Sequence, residues 1–286
     1  MPLSASPPRI GLLLALYNAN ITTDWRTVAD AAKRIPVRAI VPVKGVSPPD
    51  PAWAPDYPTA AEYRSGVDML RGAGVETYAY VHLRNISAKC CFCCGNLTQF
   101  AQWVTMIKES ANFDGVMLDN MDTEWSTHLP ANRDGLHKMY APAASMVRAN
   151  GLDVWANGPH IQANGSIGGG ADAWRPLLEL ASFTTLFETG YKTWLSEAYE
   201  GHNYATALQW PASKLGGYVL DIPENATAAK PAIEASLQKA IDRGLTWLYP
   251  TVACKHGHGP HQGSCTYADL PSYWSELVDA VERLNP

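Results

Sequence analysis

Phe113-Asp114-Gly115-Val116-Met117-Leu118-Asp119-Asn120 is the stretch that decides how this chain folds. Val116, Met117 and Leu118 run without the apolar–polar alternation of a half-wetted strand, so both faces are expected to be covered, as in a parallel sheet. The run ends at Asp119, and Asp122, Glu124 and Trp125 follow in the next loop. An α/β barrel places its chemistry at the carboxyl ends of its strands. The competing reading of Asp119 is a carboxylate that only caps a loop or helix.

Outward from this stretch the same unit recurs. Strands are expected at about residues 10–17, 38–43, 77–83, 153–156, 183–187, 217–220 and 246–252. Helices are expected over about 25–35, 59–73, 97–110, 136–150, 174–180, 194–209, 229–243 and 270–284. Eight strands alternating with eight helical stretches, with no break in composition, predict a single (β/α)8 barrel spanning residues 1–286 as one domain. The alternative, a doubly wound open sheet, lacks a G-x-G-x-x-G after the first strand. Gly168-Gly169-Gly170 lies mid-chain and reads as a flexible loop rather than a phosphate cradle.

The 286 residues are 47% hydrophobic and 17% charged, enough to bury a large core. The net charge is −5 and no basic run exists, which argues against nucleic acid and anionic membranes as partners. No apolar run reaches membrane-spanning length. Residues 10–17 have the greasiness of a signal-peptide core but lack a basic flank and a small-residue cleavage site, so they read as the first strand. Any targeting peptide is expected to have been replaced by the initial Met. Asn20, Asn85, Asn96, Asn164 and Asn225 each open an Asn-x-Ser/Thr sequon, and Cys90, Cys91, Cys93, Cys94, Cys254 and Cys265 form an even set. Together they point to an oxidising, secretory setting with disulfides and N-glycans.

On a barrel, Asn18, Lys44, His82, Asp119, Asn157, Glu188 and Asp221 fall at the carboxyl ends of successive strands and gather around one mouth. Glycosidic bond cleavage needs two carboxylates, one to protonate the leaving oxygen and one to attack the anomeric carbon or activate water. Asp119 and Glu188 are the candidate pair; the competing reading for each is a hydrogen bond that organises a loop. Strict alternation puts Met117 with Asp119, and Thr184 and Leu186 with Glu188, leaving Phe187 towards the helices. Trp53, Trp125, Tyr191 and Trp194 lie near these ends, where ring faces can stack on sugars. Trp155 and Trp247 sit inside strands and read as core.

His256, His258 and His261, between Cys254 and Cys265, invite a zinc reading, but their spacing matches no standard finger. A Cys254–Cys265 disulfide is preferred, with Cys90 and Cys94 pairing internally or with that loop, and no metal or other cofactor is expected. No Gly-x-Ser-x-Gly elbow or Walker loop is present.

Leu16-Tyr17, Ala79-Tyr80-Val81-His82, Asp114 to Asp119, Asn157-Gly158-Pro159, Phe187-Glu188-Thr189-Gly190-Tyr191 and Leu270-Pro271-Ser272-Tyr273-Trp274, in that order, resemble the spherulin-4 family. That family includes fungal glycoside hydrolases acting on galactosaminogalactan and neighbours the endo-α-1,4-polygalactosaminidases. The resemblance implies a barrel enzyme that cleaves α-1,4-linked galactosamine or N-acetylgalactosamine, with the family's strand-four aspartate on Asp119, strand-five asparagine on Asn157 and strand-six glutamate on Glu188. The departure is Asn120, where the family typically carries a second acid; Asp122 or Glu124 is a candidate replacement. Tyr17, His82, Asn120, Asp122, Glu124, Asn157, Tyr191, Trp194 and Asp221 are therefore the expected substrate contacts. A mouth lined by Asp119, Glu188 and Asp221 suits a cationic amino-sugar chain. The expected protein is a secreted, monomeric, endo-acting glycoside hydrolase with a polysaccharide or oligosaccharide substrate. Asp119 is nucleophile or base and Glu188 general acid, or the reverse. The alternatives are a non-catalytic carbohydrate-binding barrel and a metal-dependent hydrolase.

Overall fold

The computed structural model describes residues 10–16, 23–43, 60–82, 97–119, 133–158, 161, 164–167, 170–252 and 270–285. Eight parallel strands close into a barrel in chain order: β1 (Gly11–Ala15), β2 (Val37–Pro42), β3 (Glu76–His82), β4 (Gly115–Asp119), β5 (Asp153–Asn157), β6 (Phe183–Gly190), β7 (Leu215–Ile222) and β8 (Trp247–Val252). The helices are α1 (Asp24–Ala32), α2 (Ala60–Gly72), α3 (Leu97–Ser110), α4 (Arg133–Ala149), α5 (Gly170–Leu180), the short α6 (Tyr191–Trp194) and α7 (Tyr204–Leu208), then α8 (Ala226–Asp242) and α9 (Trp274–Arg283). The (β/α)8 expectation holds. No described helix is long and apolar enough to cross a membrane.

Val116, Met117 and Leu118 are buried on both faces of β4, which is why their sequence does not alternate. The barrel interior at the amino-terminal end is an aromatic chain. Tyr78 meets Trp155 edge-on at 5.3 Å, Trp155 meets Phe183 at 4.9 Å, and Phe183 meets Trp247 at 6.2 Å. Glycine on the adjoining strand makes room for the large rings: a Cβ on Gly115 would lie 2.6 Å from the Tyr78 ring, and one on Gly11 2.5 Å from Trp247. The Arg38 guanidinium lies 4.6 Å from the Phe183 ring centre and 4.0 Å from that of Trp247, while its Nε donates to Glu76 at 2.6 Å.

First and last segments are tied together. The Asn285 side chain accepts from the Ile10 amide at 2.8 Å and donates to its carbonyl at 2.7 Å. Outside the barrel, Arg34 just after α1 pairs with Asp279 and Glu282 of α9. With the amino-terminal end plugged by aromatic rings and the Arg38–Glu76 pair, the candidate acids Asp119, Glu188 and Asp221 lie towards the carboxyl ends of β4, β6 and β7.

Candidate active site

β4 is flanked by β3 and β5, with His82 opposite Asp119 and Tyr80 and Trp155 both level with Met117. Partners across a parallel ladder project the same way, so side chains from both neighbours reach the end of β4. The Tyr80 hydroxyl donates to Asp119 Oδ2 at 2.5 Å, and the Asn157 amide donates to Oδ1 at 2.7 Å. Asp119 therefore acts as acceptor at both oxygens, with its carboxylate plane set by two strands. Asn157 is buried and Asp119 half-buried.

Glu188 joins this group through a defect in the sheet. β6 pairs Thr185 with Gly216 and Glu188 with Tyr218, so three steps along β6 match two along β7. The extra residue corrects the alternation expected from sequence. Thr185, not Thr184, shares the inward face with Glu188: the Trp155 indole, inside the barrel, donates to Thr185 Oγ1 at 2.6 Å. Phe187 does turn towards the helices, where it stacks on Trp194 at 4.5 Å. β-bulges of this kind re-aim side chains beside functional sites.

Two buried phenols stand beside these acids: Tyr80 bonds Asp119, and Tyr218 lies opposite Glu188 across the β6–β7 ladder. Burial pushes the Tyr80 hydroxyl well above the ordinary phenol range, with further contributions from Asp119 and then Glu188. Tyr218 is raised by burial first, then by Glu188 and Asp119. Each carboxylate is thus within electrostatic reach of both rings, and both rings stay protonated through the neutral range. Asp119, Glu188, Asn157, Tyr80 and Tyr218 form one constellation at the carboxyl end of the barrel.

Asp221 is also at this end, but inside a second register shift, between Val219 and Ile222. It is exposed, with φ of 62°. Its Oδ2 lies 2.8 Å from where a Cβ on Gly190 would stand, so only glycine there leaves the carboxylate its place. Tyr191 is half-buried at the start of α6. Trp194 corrects an expectation: it has 0% exposure, its indole donates to the Ser236 carbonyl at 3.2 Å, and Arg243 covers it. A ring sealed between β6, α8 and Arg243 packs beneath the rim and has no face to offer a sugar. Trp155 and Trp247 are core, as expected.

Tyr17, Asn18, Lys44, Trp53, Asn120, Asp122, Glu124 and Trp125 lie outside the described residues, as do all six cysteines and His256, His258 and His261. His82 is described in its backbone only. Among the described residues no cluster of metal-ligating side chains occurs. Tyr80 and Tyr218 are not among the site residues expected from sequence, although Tyr80 stands two residues before His82 and so on the same strand face.

The family model described as Spherulation-specific family 4 matches residues 11–281. No curated protein matches the chain. Among solved structures, GH5_18 from Streptomyces cattleya in complex with GlcNAc is similar at a TM-score of 0.56 and 12% identity, covering 98% of this chain and 81% of that one. A GH5-4 broad-specificity endoglucanase from Clostridium longisporum gives 0.54 and 12%, covering 97% and 96%. A glycoside hydrolase family 5 enzyme from Prevotella bryantii gives 0.53 and 11%, covering 98% and 97%. At these identities the likeness is one of fold.

Proposed function

We propose that this chain, which belongs to spherulation-specific family 4, is a glycoside hydrolase that cleaves α-1,4-linked galactosamine or N-acetylgalactosamine polysaccharide with Asp119 and Glu188 as its two carboxylates. The observation that carries the reading is the placement of two acids at the carboxyl end of one barrel: Asp119 ends β4, gripped by Tyr80 and Asn157, and Glu188 follows the β6 register shift, opposite Tyr218. Glycosidases need two acids on either side of one bond, in different protonation roles. Asp119, accepting hydrogen bonds at both oxygens, suits the unprotonated role of nucleophile or base, which leaves Glu188, exposed to an incoming sugar, as general acid. Asn157 orients the Asp119 carboxylate. Asp221 adds a third carboxylate at the rim for a cationic sugar.

A soluble, extracellular setting belongs to the same proposal. It is supported by the sequons at Asn164 and Asn225, both exposed, and by the even set of cysteines. The chain is taken to act as a monomer on a polymeric substrate.

The test is hydrolysis of galactosaminogalactan, with chitosan and pectin as comparison substrates and products identified by mass spectrometry. Wild type is expected to release amino-sugar oligomers from the first polymer only. Glu188→Gln and Asp119→Asn are each expected to lower kcat by about 10³-fold or more while oligomer binding persists, the loss typical of removing an essential acid–base group. Wild-type turnover by Glu188→Gln would remove that residue from the reaction. Binding without product in the wild type would replace the enzyme with a carbohydrate-binding barrel.

A further inference from the structure

β5 ends at Asn157, whereas β6 continues to Gly190, so the β6 carbonyls past that point need partners from elsewhere. The loop after β5 supplies two of them. The Gly158 amide donates to the Thr185 carbonyl at 2.8 Å, and the Ile161 amide to the Leu186 carbonyl at 3.0 Å. In the other direction the Thr184 hydroxyl, with 0% exposure, reaches the Ala156 carbonyl at 3.0 Å and also the Gly158 carbonyl. Gly158 has φ of 136°, open to glycine and closed to other residues, which lets its amide and its carbonyl both engage β6.

These bonds hold β6 at Thr184, Thr185 and Leu186, where it enters the segment that gains the extra residue. Were β6 to run in straight register, Phe187 would face into the barrel and Glu188 the helices. We infer that Thr184, Gly158 and Ile161 form a clamp that holds the β6 bulge and thereby keeps Glu188 in register with Tyr218, on the inner face of the barrel. Asn157 and Gly158 then serve the two acids from one dipeptide: the side chain of the first orients Asp119, and the backbone of the second fixes the strand that carries Glu188. Thr184 is a positioning residue, acting through Glu188 and touching no substrate.

This inference rests on the hydrolase reading for its kinetic arm only. Thr184→Val keeps the side-chain shape and removes the hydroxyl; Thr184→Ser keeps the hydroxyl. Thr184→Val is expected to lower kcat on galactosaminogalactan by about 10- to 100-fold with KM nearly unchanged, the cost of misplacing a reacting group by an ångström or so. Thr184→Ser is expected to restore kcat to near wild type. Ile161→Pro, which deletes the amide donor from a half-buried site, is expected to repeat the kcat loss and serves as the second route if Thr184→Val does not fold. Crystal structures of wild type and variants read the clamp without turnover: Glu188 loses its register opposite Tyr218 in Thr184→Val and Ile161→Pro and keeps it in Thr184→Ser. An unmoved Glu188 in the first two, or a Thr184→Ser variant as impaired as Thr184→Val, overturns the clamp. An inactive wild type sinks the hydrolase reading and leaves the crystal structures to decide this one.

Discussion

Asp119 is held by donors from two different strands, and that sets what single substitutions at the mouth should do. Removing the Tyr80 hydroxyl leaves Oδ2 without the 2.5 Å bond that now fixes it, while Asn157 still holds Oδ1. Tyr80→Phe is therefore expected to lower kcat by about tenfold and stability by about 1.5–3 kcal/mol, the usual scale for one hydrogen bond to a charged group. Steady-state kinetics and denaturant melts check the two parts. Unchanged kcat in a normally folded variant would make the phenol a packing residue. At this scale the acids were legible: Asp119 terminates an apolar run, and Glu188 and Asp221 break later ones. The phenols were not, because a tyrosine inside an aromatic strand has the same pattern as core. Trp194 misled for the opposite reason, since an aromatic ring near a strand end has no sequence mark that separates a rim face from a buried wedge.

Elements set where those residues go, and here local signals and long-range pairing diverge. The start of α8 was written locally. Asn225 accepts from the Thr227 and Ala228 amides at 3.0 and 3.3 Å and satisfies donors that the helix leaves open. Asn225→Ala is expected to lose about 1 kcal/mol, or about 2–4 °C in Tm, whereas Asn225→Asp keeps the cap while deleting the sequon. Calorimetry on protein from a non-glycosylating host separates the cap from any glycan; equal melting of the alanine and aspartate variants would count against the cap. β6 and β7 were not written locally. Both run past their expected ends, to Gly190 and Ile222, and both carry register shifts that place Glu188 and Asp221 inside strands rather than after them. A bulge is a mismatch between two strands, so neither strand's own sequence announces it.

Among the described residues the closed barrel and its helices bury several phenols. Burial pushes up Tyr78, Tyr80, Tyr140, Tyr204, Tyr218, Tyr249 and Tyr273, with Tyr249 reaching about 12. In the unfolded chain these groups titrate near the ordinary phenol value of about 10. A folded value above the unfolded one favours the native state fully below pH about 10, and that contribution is lost as pH rises towards the folded values. Stability should thus hold through neutral pH and fall steeply above about 10, with tyrosinate absorbance appearing together with unfolding rather than before it. Reversible ionisation of most tyrosines in the native state would contradict the burial. The order of apolar runs and punctuation by itself determined the eightfold β/α alternation, the parallel sheet and the carboxyl strand ends at which the candidate acids fall, because strand burial and helix amphipathicity are local in sequence. Only the tertiary structure decided that Tyr80 and Asn157 grip Asp119, that Glu188 turns inward and that Trp194 is sealed away. Those outcomes depend on register between strands and on which rings fill the interior, and such relations exist only once distant segments have packed.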